Sequence, residues 1–459
     1  MRFCSTDGGS RDSLWRMSKT FRAWDVDQLW LLPPSVRDLV PAGHVAHFVR
    51  ETVREELDLS AIFGCYEEER GYPPYHPVMM VALLLYGYSR GVYSSRRLAQ
   101  ACEERVDFMA VTAMNRPDFR TIAEFRKRHL EALGALFVQV LQLCRAAGLV
   151  KLGHVALDGT KVRANASKHK AMSYRRMLEA EKKLAAEVAG WFARAAAVDR
   201  EEDRLHGAER RGDEMPDWVA DKAARLTRLR AAKAALEAEA KASPPADDDG
   251  PGRSTGMMEK GRPKRNAQGG PPDRAQRNFT DPDSRIQKTR DGFVQGYNAQ
   301  IAVDGAHQII LAQRVQTNPA DHGGLAPLVA AIRATCKRNP SELSADAGFC
   351  TEANLAALAR RRIRAYLAPG RARHGDADPA GGRRCAKGSR VAAMAIKLKR
   401  AGRRSRYRLR KQIVEPVFGH IKAARGFRQF SLRGLDKVKD EWAILGTAHN
   451  LLKLAKATS

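Results

Sequence analysis

The chain has no long hydrophobic run. Its longest apolar stretch, around Val78 to Leu85, falls far short of the roughly 20 residues needed to cross a bilayer, so no membrane span is expected. Residues Met1 to Arg16 lack the apolar core of a signal peptide. Cysteines are sparse: seven, at 4, 65, 102, 144, 336, 350 and 385, with no Cys-x-x-Cys pair among them. An odd, scattered set excludes a disulfide scaffold and a cysteine zinc knuckle, and reads as reduced thiols of a cytoplasmic protein. The 12 histidines contain no His-x-x-x-His pair, and His44 with His47 brings no further ligands. Glycine-rich pieces such as GRPKRNAQGG lack the preceding strand and the Gly-Lys-Ser/Thr ending of a nucleotide loop, so no ATP site is expected.

Acid is also in short supply. The chain carries 52 Asp and Glu against 80 Lys and Arg, a net charge of +28. That excess would repel itself in an isolated compact protein, and a polyanion is its natural partner. A length of 459 residues with 44% hydrophobic content implies a globular protein of two or three units.

Residues 1–20 read as a disordered extension, or as one lying upstream of a start at Met17. From 21 to 150 the pattern is helical. Pro77 suits a first helical turn, and the run it opens ends at Gly91; Ser94 or Ser95 then caps a second helix that begins with Arg96 and Arg97. This hairpin can present basic side chains to DNA as helix-turn-helix modules do, or be an ordinary hairpin with solvated arginines. Thr121 with Glu124 forms a capping box before one long helix stopping near Gly148.

The period then changes. His154 to Asp158 is a short β-rich run with the carboxylate at its end. Helical stripes return over 173–242, with Leu184, Val188, Trp191 and Ala195 in one, and Leu226, Leu229, Leu236 and Ala240 in the other. Gly212 and Pro216 separate them, which predicts a helical hairpin insert. Residues 243–277 read as a flexible basic linker. Strands are expected over Phe293–Val303, Gln308–Gln316, Glu342–Asp346 and Ile363–Ala368, with helices over Leu325–Arg338 and Thr351–Arg361 and a last helical region carrying Glu415. This order predicts an α/β fold: a ribonuclease-H-like mixed sheet formed by 151–172 and 278–455, preceded by a helical domain and interrupted by the insert.

The topology lets three carboxylates meet: Asp158 after the first strand, Asp346 after the fourth, and Glu415 on a later helix. Hard divalent cations, Mg²⁺ or Mn²⁺, take such oxygen ligands, and two ions can activate the attacking oxygen and stabilise the leaving oxygen of a displacement at phosphorus. Lys and Arg fill nine of the fifteen positions from Lys397 to Lys411, and Lys422, Arg425 and Arg428 follow. Beside Glu415 these cations suit phosphate contacts. Tyr297, Asn298 and Gln300 fall on one strand, a polar cluster that could orient DNA or water, or could make ordinary strand hydrogen bonds.

Asp158 stands in ALDGTKVRANAS, Asp346 in LSADAGF and Glu415 in KQIVEPVFGHIK. With RPDFRTIAEFRKRH at 116–129, NFTDPDSRI and GYNAQIAVD, they make the chain resemble bacterial insertion-sequence transposases of the DDE type over roughly residues 20 to 455. The family's tyrosine and arginine would fall at Arg408 and Lys411; here Tyr407 and Arg410 lie one position away, while Glu415 and Lys422 keep their spacing. The resemblance implies that Asp158, Asp346 and Glu415 hold two metal ions. It implies cleavage at the element's terminal inverted repeats, followed by attack of the freed 3′-hydroxyl on target DNA, and a homodimer pairing two ends at the nucleoid. Arg96, Arg97, Arg408, Arg410, Lys411, Lys422 and Arg425 are the candidate DNA contacts. A hydrolytic nuclease of the same fold and an inactive DNA-binding remnant remain the alternatives.

Overall fold

A computed structural model describes residues 35–66, 74–206, 217–242, 266, 270–289, 292–370 and 388–458. The extension expected at 1–20, the breaker residues Gly212 and Pro216, and most of the 243–277 linker lie outside them.

The N-terminal helices follow their caps. In α1 (Val45–Glu55) the His44 ring accepts the Ala46 N–H at 3.3 Å. After the single turn α2 (Ser60–Phe63), α3 (Pro77–Ser89) starts with Pro77 in its first turn, and Met80 through Tyr88 are buried around the whole circumference. Next come α4 (Ser95–Glu104) and α5 (Val106–Thr112). The long helix expected beyond Thr121 is two helices, α6 (Phe119–Arg128) and α7 (Leu130–Ala146), which separate at His129. Its cap is also different. Asp118 accepts the N–H groups of Arg120 at 2.7 Å and Thr121 at 3.2 Å, and Thr121 lies inside the first turn with its hydroxyl turned back to Asp118. A carboxylate just ahead of the helix satisfies two orphan donors that a hydroxyl within the turn cannot reach.

Strand β1 (His154–Arg163) enters the sheet. The insert follows: β2 (Ala171–Ser173) and β3 (Gln276–Asn278) form a short antiparallel ribbon from which α8 (Tyr174–His206) and α9 (Asp217–Ala242) project. Glu181 pairs with Lys233 at 2.6 Å and Glu187 with Lys222 at 2.7 Å, so the two helices run antiparallel as expected. Tyr174, Met177, Leu229 and Leu236 give the insert its own small core.

The sheet resumes with β4 (Arg285–Thr289), β5 (Gly292–Asp304) and β6 (Ile310–Gln316). After α10 (Leu325–Cys336) come β7 (Glu342–Ala345), α11 (Glu352–Arg360) and β8 (Arg364–Leu367). The order is β4-β5-β1-β7-β8, with β6 sharing the outer edge of β5. Strands β1, β4, β5 and β6 pair antiparallel, whereas β7 and β8 join in parallel. This is the ribonuclease-H-like mixed sheet that the element order implies. Strand β4, the β2–β3 ribbon and α12 (Arg390–Ala401) are additions to it.

Helix α13 (Leu409–Gly419) contains Pro416 and runs on into a π turn over His420–Ala424. Proline removes the N–H that would bond to the Gln412 carbonyl four residues earlier. That carbonyl accepts from Gln308 Nε2 at 3.2 Å instead, so the helix passes through the proline with its polar group satisfied. Helix α14 (Leu435–Thr458) is buried along most of its length and packs on α3, α7 and β6. Through it the N-terminal helices and the sheet share one hydrophobic core, from Ala46 to Leu454.

Candidate active site

The pairing of β1 decides where the aspartates meet. In register with β7, Leu157 faces Ala345, the last residue of that strand. Asp158 and Asp346 are the next residue on each strand, so the parallel pairing ends on two adjacent carboxylates. Asp158 was expected to end its own strand but lies in the middle of β1: residues 159–163 continue antiparallel against β5 to Arg163↔Gly296. What stops at Asp158 is its neighbour.

Across β1 and β5, Gly159 faces Gln300 and Lys161 faces Asn298. Over this face lies Asp321, at the turn from β6 into α10, a residue to which the sequence reading assigned no role. Asn298 Nδ2 donates to Asp321 Oδ1 at 2.6 Å and Gln300 Nε2 at 3.1 Å, while Lys161 Nζ lies 3.6 Å away. Both amide side chains are fully buried. The polar cluster on β5 is therefore the mount of an aspartate. Its linear signal was the placement of Asn298 and Gln300, two apart and so on one face of the strand.

Asp158 reaches the other way, to α13. Arg410 Nη1 meets Asp158 Oδ2 at 2.5 Å, with the guanidinium 5.9 Å from the centre of the Tyr407 ring. Burial pushes the Asp158 carboxyl up to about 6; Arg410 opposes this, and the charges of Asp346 and Asp321 add to it. Asp346 is also raised, by burial first and by the Asp321 charge next. Burial prevails over the ion pair because a carboxylate taken out of water loses more than one partner restores.

Ionised, Asp158, Asp321 and Asp346 carry three negative charges against the two positive charges of Arg410 and Lys161, leaving one negative charge among partly buried side chains. The donors are hard oxygens, and the buried Asn298 Oδ1 has no hydrogen-bond partner. Donor type, residual charge and orphan oxygen all suit a divalent cation. Among the described residues no three acidic, histidine or cysteine side chains already converge on one metal point. Asp158 is engaged by Arg410, and Asp321 by its amides and Lys161.

The remaining predicted residues are dispersed. Glu415 lies exposed on α13 and is not drawn into the aspartate cluster. Lys422, two turns on, sets its Nζ on the Lys161 carbonyl at 2.9 Å. Arg408 and Lys411 are exposed at the start of α13, and Arg96 and Arg97 are exposed on α4. Arg425 points inward, its Nη2 3.1 Å from the His449 ring.

Two family models match the chain: one described as Transposase domain (DUF772) over residues 34–128, the other as Transposase DDE domain over residues 269–451. Neither a curated protein nor a solved structure matches it. The first match covers the helices α1 to α6, and the second runs from the end of the insert through Asp321, Asp346 and Glu415 into α14. Together with the mixed sheet and its paired aspartates, these matches place the chain among the insertion-sequence transposases of the DDE type.

Proposed function

We propose that this transposase binds the terminal inverted repeats of its element as a homodimer, cuts at their ends and joins the freed 3′-hydroxyl to target DNA. The observation that carries the reading is the β1–β7 register, which ends on Asp158 and Asp346 side by side, half-buried and short of positive charge. Asp158, Asp346 and Glu415 are the residues proposed to hold Mg²⁺ or Mn²⁺. When bound, the ions supply activation of the attacking oxygen and stabilisation of the leaving oxygen.

The chain's own part is to collect negative charge where water is scarce and to offer cations around it. Arg410 and Lys161 offset two of the three carboxylates in the free chain and are the cations nearest to a phosphate entering the cleft. Arg408 and Lys411 extend that positive surface along α13, giving affinity that does not depend on base sequence. Helix α4 is the proposed end-recognition face: Arg96 stacks on the exposed Phe119 ring at 5.2 Å, and Arg120 lies on the same ring at 5.7 Å.

Labelled element ends incubated with target DNA and Mg²⁺ should give a joined product. Asp158→Asn, Asp346→Asn and Glu415→Gln should each abolish cleavage while leaving DNA binding measurable. Cleavage without joining would identify a hydrolytic nuclease, and binding without either would identify an inactive remnant. Full activity of any one variant would remove that residue from the assignment.

A further inference from the structure

The two aspartate motifs each contain a glycine, in Asp158-Gly159 and in Asp346-Ala347-Gly348, and the structure shows what both glycines leave room for. A Cβ on Gly159 would lie 2.8 Å from Asp321 Oδ1 and 3.1 Å from Asn298 Oδ1. A Cβ on Gly348 would lie 3.1 Å from Asp321 Oδ2 and 3.2 Å from Asp346 Oδ1. Asp321 is thus seated against the backbone beside both aspartates, and one of its oxygens flanks the same point as an oxygen of Asp346. An alanine at either glycine would displace it.

We propose that Asp321 is itself a ligand of the divalent-cation site, acting through the oxygen that faces Asp346 while Asn298, Gln300 and Lys161 hold the other. The inference rests on the reading of Asp158 and Asp346 as cation ligands. An aspartate present only to support β5 would need one partner. This one has two fully buried amides, each committed through its nitrogen, and the amide oxygen of Asn298 is left without a partner beside Gly159. Gln300 donates through its nitrogen to Asp321, and Gly324 leaves the room its side-chain oxygen fills: a Cβ there would lie 1.7 Å from it. Two buried amides that both donate N–H to one carboxylate oxygen orient that carboxylate and leave its second oxygen for another use. A buried amide oxygen with no donor is satisfied by an ordered water or by a cation, and beside two carboxylates a cation or its bound water suits it.

Mn²⁺ titration of the full chain without DNA, followed by the paramagnetic resonance signal of the free ion, tests this independently of activity. Asp321→Asn should weaken Mn²⁺ binding by about ten-fold or more, as removal of a ligand does, with an unchanged melting temperature. Lys161→Met removes the positive charge 3.6 Å from Asp321 Oδ1, and Lys161 is not itself a proposed ligand; with the site more negative, Mn²⁺ binding should tighten several-fold. Wild-type Mn²⁺ binding by Asp321→Asn, with binding lost in Asp158→Asn and Asp346→Asn, would overturn the inference and leave the proposed function standing. Should Asp321→Asn fail to fold, an unchanged affinity in Lys161→Met would overturn it equally. Undiminished binding in all three aspartate variants would instead remove the cation site itself.

Discussion

Replacing Asp158 by asparagine should make the cation-free protein progressively more stable than wild type as pH rises, although the same change removes its proposed activity. The carboxyl is held at about 6 in the fold against an ordinary value of 3.8, with burial as the main cause. A group whose folded-state value lies above its unfolded one favours the fold while protonated, and that contribution is lost as pH rises through the folded value. The gap corresponds to about 3 kcal/mol, present in full below pH ~4 and gone by pH ~7.5. Asparagine has no such titration. The cost of leaving Arg410 opposite a neutral amide is a constant offset, since arginine does not titrate in this range.

The assay is therefore a difference. Urea melts of wild type and Asp158→Asn in EDTA from pH 4 to pH 7.5 should diverge in favour of the variant by about 3 kcal/mol. Acids outside the cluster contribute to both proteins and cancel, and loss of the Asp158 charge relieves its repulsion with Asp346 and Asp321, which acts in the same direction. Restoring Mn²⁺ at about a hundred times its dissociation constant should stabilise wild type by about 2.7 kcal/mol and leave the variant unmoved. A difference that stays flat across the pH range would refute the argument from burial, whatever its sign.

Gly91→Ala should cost roughly 1–3 kcal/mol, because the residue has φ +76° and an added Cβ would lie 2.7 Å from the Arg425 carbonyl, which already accepts the Tyr93 hydroxyl. A melting temperature equal to wild type would show that this contact between the α3–α4 turn and the segment after α13 can yield. Trp442→Ala should cost about 3–5 kcal/mol, since Trp442 is only 2% exposed and packs against Phe427 and Phe430. Because α14 joins both halves of the core, calorimetry of this variant should show helices and sheet lowered together; loss of one transition with the other kept would contradict a shared core.

The apolar runs that lead into Asp158 and Asp346 could be read from the sequence because local signals mark them: a short apolar run, then an acid, then a glycine one or two residues on. The mid-strand position of Asp158 could not. Residues 159–163 are mostly polar, and they extend β1 only because β5, more than 130 residues away, supplies their partners. Asp321 was missed for a related reason. In the chain it follows Asn318, Pro319 and Ala320 and looks like any acid before a helix; its meaning lies in the glycines of two distant motifs and in two amides on β5. Arg410 was one of nine basic residues in a run, and only the approach of α13 to β1 singles it out. The helical stripe of the insert was legible because its period is local, whereas the burial of α14 on every side is what makes the N-terminal helices and the sheet one core. Periodicity and caps report a residue's relation to the next turn or strand end. Charge balance at a site depends on which side chains the sheet brings together. A glycine directly after one aspartate and two residues after another is therefore better evidence for a third carboxylate, once the sheet order is known, than any motif around that carboxylate.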